Sequence, residues 1–179
     1  MRSRFALLAA LAVSAAEAQP LVYTAFETVH ESSPVPDESV RFGWDVVSMP
    51  DLDGDGVDEF GAVSTRALSV FSGADSGLVY EFVFPGSSRF GVTLALIGDV
   101  TGDGTADVWV GGTMEWDPGA YVVDGATGSL VRWIDSPGGE VRFGAAAAGV
   151  PDQDGDGVPD ILAGSPAADG EGGEFSARP

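Results

Sequence analysis

The sequence predicts an all-β fold made of repeated four-stranded antiparallel units, each the size of one β-propeller blade. Three observations predict it. Arg-Phe-Gly stands at residues 41–43, 89–91 and 142–144, and an acidic loop begins nine residues after each phenylalanine, at Asp51, Asp99 and Asp152. Between these markers, short β-branched and aromatic runs alternate with glycine-bearing turns, the pattern of strands joined by tight connections. Glycine supplies 26 of the 179 residues, about twice the ordinary ~7% and without a Gly-X-Y period.

Residues 1–18 read as a secretory signal peptide. Arg2 and Arg4 form a basic start, Phe5 to Val13 an apolar core, and Ala16-Glu17-Ala18 a small-x-small cleavage site before Gln19. The apolar run is shorter than the ~20 residues that span a bilayer, so no stable membrane insertion is expected. The expected location is secreted, periplasmic or at the cell surface. Residues 19–40 form an N-terminal strand, Leu21 to Phe26, and a polar, proline-bearing linker, Glu31 to Ser39.

Three repeats follow, at 41–88, 89–141 and 142–179, offset by 48 and 53 residues. A constant internal spacing with a variable period marks a structural repeat with tolerant loops. The expected first strands are Asp45–Ser48, Thr93–Leu96 and Ala145–Ala148, whose small residues suit crowding at an axis. Second strands follow the acidic loops at Phe60–Val63, Val108–Val110 and Ile161–Ala163. Third strands are Ala67–Phe71 and Ala120–Val123, and fourth strands Leu78–Val83 and Leu130–Ile134. The third repeat is truncated within its third strand. Leu21-Val22-Tyr23 matches Leu78-Val79-Tyr80, so the N-terminal run is a candidate outer strand.

Eight Lys plus Arg face 28 acidic residues, for a net charge of −20. Phosphate binding needs clustered cations, so nucleic acid is not an expected partner. An acidic surface kept for solubility is the bland alternative. Eleven of the acids, however, stand at ligand positions in the three loops. There is no cysteine, so stability must come from packing and metal rather than disulfides.

Each loop alternates oxygen ligands at positions 1, 3 and 5, a backbone carbonyl at 7 and a carboxylate at 9, with glycine at 4 and 6 to permit φ > 0. The first supplies Asp51, Asp53, Asp55, Val57 and Glu59; the second Asp99, Thr101, Asp103, Thr105 and Asp107; the third Asp152, Asp154, Asp156, Val158 and Asp160. Hard oxygen donors in that density suit Ca2+, up to three ions, one per loop. The third loop is the most complete, and the second, with neutral Thr101, is expected to be weakest. An EF-hand would need Glu at position 12 and flanking helices; position 12 is Ala62, Val110 or Ala163, and the flanks are strands. An acidic turn without metal is the other reading, but crowded carboxylates repel one another unless a cation holds them.

Phe-Gly followed by a DxDGDGxxD loop resembles the FG-GAP repeat of the integrin α-chain β-propeller, a repeat also common in bacterial exported proteins. The resemblance covers residues 41–179. The Gly-Ala-Pro slot is matched loosely, as Val63-Ser64-Thr65, Gly111-Gly112-Thr113 and Gly164-Ser165-Pro166. The resemblance implies a seven-bladed propeller with structural calcium on one face, used for extracellular binding or cell adhesion. Seven blades of ~50 residues need about 350 residues, so this chain holds an incomplete ring. An extracellular protein or polysaccharide is the expected partner, and exposed blade faces favour self-association.

No catalysis is expected. The single histidine, His30, lies in the linker, and Gly-x-Ser-x-Gly and His-Glu-x-x-His are both missing from the sequence. Trp109 and Trp133 lie in expected strands and read as packing; Trp116 lies in a loop and is the better candidate for contact with a partner. The competing readings are an accessory region of a secreted enzyme and a structural surface-layer protein.

Overall fold

The computed structural model describes residues 8–10, 24–26, 42–85, 93–112, 119–137, 143–166 and 174–178. Outside them lie most of the expected signal peptide, Leu21-Val22-Tyr23, His30, the linker at 31–39, Arg41, Arg89-Phe90-Gly91, Thr113, Trp116 and Arg142. The chain divides into two compact units, Met1–Glu38 and Ser39–Pro179. In the first, strand β1 (Leu8–Ala10) pairs antiparallel with β2 (Thr24–Phe26), Leu8 opposite Phe26.

The second unit is all-β, with no helix among the described residues. The first repeat gives a four-stranded antiparallel meander, β3 (Val46–Ser48), β4 (Phe60–Val63), β5 (Ala67–Phe71) and β6 (Leu78–Val83). The second gives β7 (Thr93–Leu96), β8 (Val108–Gly111), β9 (Gly119–Val123) and β10 (Leu130–Asp135) in the same order. The third gives β11 (Ala146–Val150), β12 (Asp160–Ser165) and β13 (Glu174–Arg178). Strands β4, β5, β6 and β7 keep the boundaries expected from sequence. The first strand of the first repeat begins at Val46 rather than Asp45. Asp45 instead spends its carboxylate on backbone, accepting from Val46 N at 2.9 Å and from Leu94 N, in β7, at 2.8 Å.

Period-2 side-chain alternation decides how the sheets stack. In β8 and β9, Val108, Val110, Tyr121 and Val123 join one core with Val63, Leu68 and Val70 of the first sheet. The intervening residues Trp109, Ala120 and Val122 join a second core with Phe143 and Ala163 of the third repeat. The middle sheet is therefore sandwiched, and β8 and β9 are buried along their whole lengths. Aromatic rings thicken the first core: Phe84 stacks on Tyr121 at 5.7 Å and Phe82 meets Tyr121 edge-on at 5.6 Å. Trp109 and Trp133 pack as expected from their strand positions, Trp109 at 1% exposure and Trp133 against the first core.

The first strands of the three repeats stand beside one another, β7 packed between β3 and β11. Thr93 Oγ1 donates to Ala145 O at 2.9 Å across that junction. The Phe-Gly step explains one repeated glycine. Gly144 has φ +79°, and a Cβ there would come 2.9 Å from the Trp109 ring. Position 144 thus needs glycine for both its backbone and its clearance.

Adjacent repeats are also tied at their turns. Tyr80 of β6 donates its hydroxyl to Gly125 O at 3.0 Å. Burial first, then the negative charges of Asp124 and Asp107, raise the Tyr80 phenol above its ordinary 10. Tyr80→Phe is expected to lose about 1 kcal/mol, one net hydrogen bond. A raised folded pKa gives stability that is full below the unfolded phenol value of ~10 and is lost as pH climbs past it. Urea melts on the two sides of that value should show an alkaline loss in the parent chain that is absent from the phenylalanine variant.

Candidate metal centre

All three acidic loops connect the first strand of a sheet to its second, so they occupy equivalent places in the repeats. Their shape follows from glycine. Gly54, Gly56, Gly102, Gly104, Gly155 and Gly157 have φ between +79° and +96°, and a Cβ at any of them would meet nothing within 4 Å. Glycine is required here by conformation and not by space. Gly56→Ala should therefore cost about 1–2 kcal/mol of pure backbone strain, read as a lower urea midpoint with an unchanged m-value.

The position-1 aspartate organises each loop. Asp51 accepts from Gly54 N (2.7 Å) and Gly56 N (2.9 Å), one on each oxygen. Asp152 does the same with Gly155 N (2.7 Å) and Gly157 N (2.8 Å). Asp99 accepts from Gly102 N (2.6 Å), Asp103 N (3.1 Å) and Gly104 N (2.8 Å), and from Thr101 Oγ1 at 3.3 Å. Donation by Gly104 N, with smaller help from Gly102 and Asp103, holds the Asp99 carboxyl below its ordinary range. Gly157 N and Gly155 N do so for Asp152. In the metal-free chain these two contributions are present above the ordinary carboxylate range and fade as pH falls through the lowered values.

Positions 3 and 5 form local turns. Asp53 accepts from Asp55 N and Asp154 from Asp156 N, at 3.1 and 3.0 Å. Asp55, Asp103 and Asp156 accept from the N–H of Val57, Thr105 and Val158 at 2.7–2.8 Å. The position-7 residues, whose carbonyls are the candidate ligands, are thereby fixed in the loop. Val57 and Val158 are exposed there.

Position 9 differs from the rest. Glu59, Asp107 and Asp160 are all buried, at 1%, 0% and 6% exposure. Each reaches back across its loop to backbone: Glu59 Oε2 accepts from Leu52 N at 2.6 Å, Asp160 Oδ2 from Gln153 N at 2.6 Å, and Asp107 Oδ2 from Val100 N and Thr101 N at 2.8 and 3.0 Å. Asp107 Oδ1 takes a further bond from Gly125 N at 3.0 Å. Burial pushes the Asp107 carboxyl up despite these donors. The apolar residues that follow, Phe60, Val108 and Ile161, are the sequence signal for this burial: position 9 stands at the mouth of a core strand.

The loops therefore differ in what they bring together. In the first, carboxylate oxygens of Asp51, Asp53, Asp55 and Glu59 lie within 4.8 Å of one another. In the third, Asp152, Asp154 and Asp156 converge, without Asp160. Among the described residues the second loop forms no such group. By sequence the third loop is the most complete; the structure gathers more carboxylates in the first. Glutamate carries one more methylene than aspartate, so Glu59 both braces its loop and reaches the other three acids. In the second loop Thr101 donates to Asp99, and Asp107 is taken up by backbone donors. The first and third groups can each hold a metal ion.

No protein-family model matches this chain, and no curated protein matches it.

Proposed function

We propose that this chain is an exported, non-catalytic binding module of FG-GAP type, built from propeller blades and stabilised by calcium in its blade loops. The observation that carries the reading is the recurrence of one loop, with one backbone shape, between the first and second strands of three similar sheets. Each loop presents only oxygen donors, the chemistry of a hard cation. The residues fit such an ion: four and three carboxylates converge in the first and third loops, and one oxygen of Glu59 is buried with no hydrogen-bond partner.

The blade assignment rests on face-to-face stacking of antiparallel meanders with their first strands side by side. Calcium's role is to fix the loops, and its expected Kd is on the order of 10⁻⁴ to 10⁻³ M, as in extracellular modules. The partner class is an extracellular protein or polysaccharide. A net charge of −20 disfavours nucleic acid. Export is inferred from Arg2, Arg4 and the Ala16-Glu17-Ala18 site.

Calcium at a hundredfold excess over Kd should stabilise the chain by about 2.7 kcal/mol per site. Differential scanning calorimetry in EDTA and then in excess calcium measures this directly. A melting temperature indifferent to both would refute the calcium role.

A further inference from the structure

We propose that the three loops are not equivalent, and that the first holds the ion on which the fold itself depends, with Glu59 as a direct ligand. The inference rests on the calcium reading and deepens it. It starts from one atom. Glu59 is 1% exposed, and its Oε1 is buried with no hydrogen-bond partner. An ionised carboxylate oxygen left bare in the interior is strongly unfavourable, and a cation is the partner that relieves it. Glu59 also belongs to the one group of four convergent carboxylates among the described residues.

The second repeat shows what happens where a protein donor fills the same role. There, Asp107 Oδ1 accepts from Gly125 N in the β9–β10 turn, and Oδ2 accepts from Val100 and Thr101. Asp107 is satisfied by backbone and is not drawn into a carboxylate group. Glu59 uses Oε2 in the same way, on Leu52 N, but leaves Oε1 for another partner. The third loop is different again. Its converging acids Asp152, Asp154 and Asp156 are all exposed, so an ion there neutralises charge already facing water.

Position in the fold makes the first site consequential. The Glu59 carbonyl accepts from Met49 N at 2.8 Å, and Met49 lies in the core shared by the first two sheets. The side chain of Leu52, whose N–H holds Glu59 Oε2, packs against that same core. An ion bound at Glu59 thus removes a bare charge from the edge of the main core. An ion in the third loop orders a surface turn.

The test uses the full chain stripped of metal, titrated with calcium by calorimetry and melted with and without the ion. The parent should show one tight site and weaker binding beyond it. Glu59→Gln and Asp53→Asn should each weaken the tight site on the order of tenfold or more, while Asp156→Asn leaves it unchanged. Asp53 is exposed, so its variant guards against misfolding. Glu59→Gln should also show a crossover: melting at or above the parent in EDTA, because the bare charge is gone, and below the parent in calcium. A Glu59→Gln deficit of equal size with and without calcium would overturn the proposal, as would loss of the tight site in Asp156→Asn. Equal, independent sites in the parent would overturn it while leaving the calcium reading standing. No calcium binding at all would defeat both.

Discussion

Asp107→Ala should destabilise the chain by about 3–5 kcal/mol, because it strands three backbone donors at once. Each buried donor left without an acceptor costs about 1–3 kcal/mol. Asp107 accepts from Val100, Thr101 and Gly125, and is itself fully buried. These donors come from different places: two from the acidic loop, one from the β9–β10 turn. The substitution therefore detaches the loop from the turn as well as loosening the loop. Asp107→Asn retains acceptor oxygen and should cost less. It also removes one of the negative charges that raise the Tyr80 phenol, so the Tyr80 titration should move down. Urea unfolding measures the first effect, and ultraviolet titration the second. A loss below about 1 kcal/mol for the alanine variant would show that water replaces the carboxylate at this site.

Trp109→Ala is expected to cost a comparable 3–5 kcal/mol, for a different reason. Truncating a fully buried aromatic removes its transfer energy and leaves a cavity. Trp109 is 1% exposed, meets Phe143 edge-on at 6.0 Å, and donates Nε1 to Gly144 O at 3.3 Å. It thus links the middle sheet to the Phe-Gly step of the third repeat by both a ring contact and a hydrogen bond. Trp109→Phe should retain much of the packing and lose the hydrogen bond. Thermal melts should rank Trp109→Ala lowest, Trp109→Phe between it and the parent, and the parent highest.

The repeat was legible because its two ends are chemically constrained. Gly144 cannot carry a side chain against Trp109, and the loop glycines need φ > 0, so these residues recur wherever the unit recurs. Strand positions were legible for the same kind of reason. β9 reads as a continuous apolar run, and β5 as one interrupted only by Ser69, because both faces are covered. The limits of β3 and β11 were less clear. Asp45 looked like a strand residue but serves the neighbouring sheet through its side chain. β11 runs on to Val150 because Gly149 and Val150 pair with Ile161 and Asp160, and pairing partners distant in sequence are not visible along the chain.

The sequence by itself determined the oxygen-rich chemistry of the loops, their spacing from Phe-Gly and the antiparallel unit around them. These are local properties: glycine conformation, alternation of side chains and the order of ligand atoms along a few residues. Tertiary structure alone decided which carboxylates meet. Position 9 reads as one more ligand in all three loops, but it is also a buried brace, whose remaining oxygen is met by Gly125 in one repeat and left bare at Glu59 in another. That difference comes from how far the side chain reaches and which turn packs beside it. The reach is fixed by glutamate's extra methylene, but the neighbouring turn is set by the packing of strands far apart in sequence, and together they let the first loop, and not the third, gather four acids.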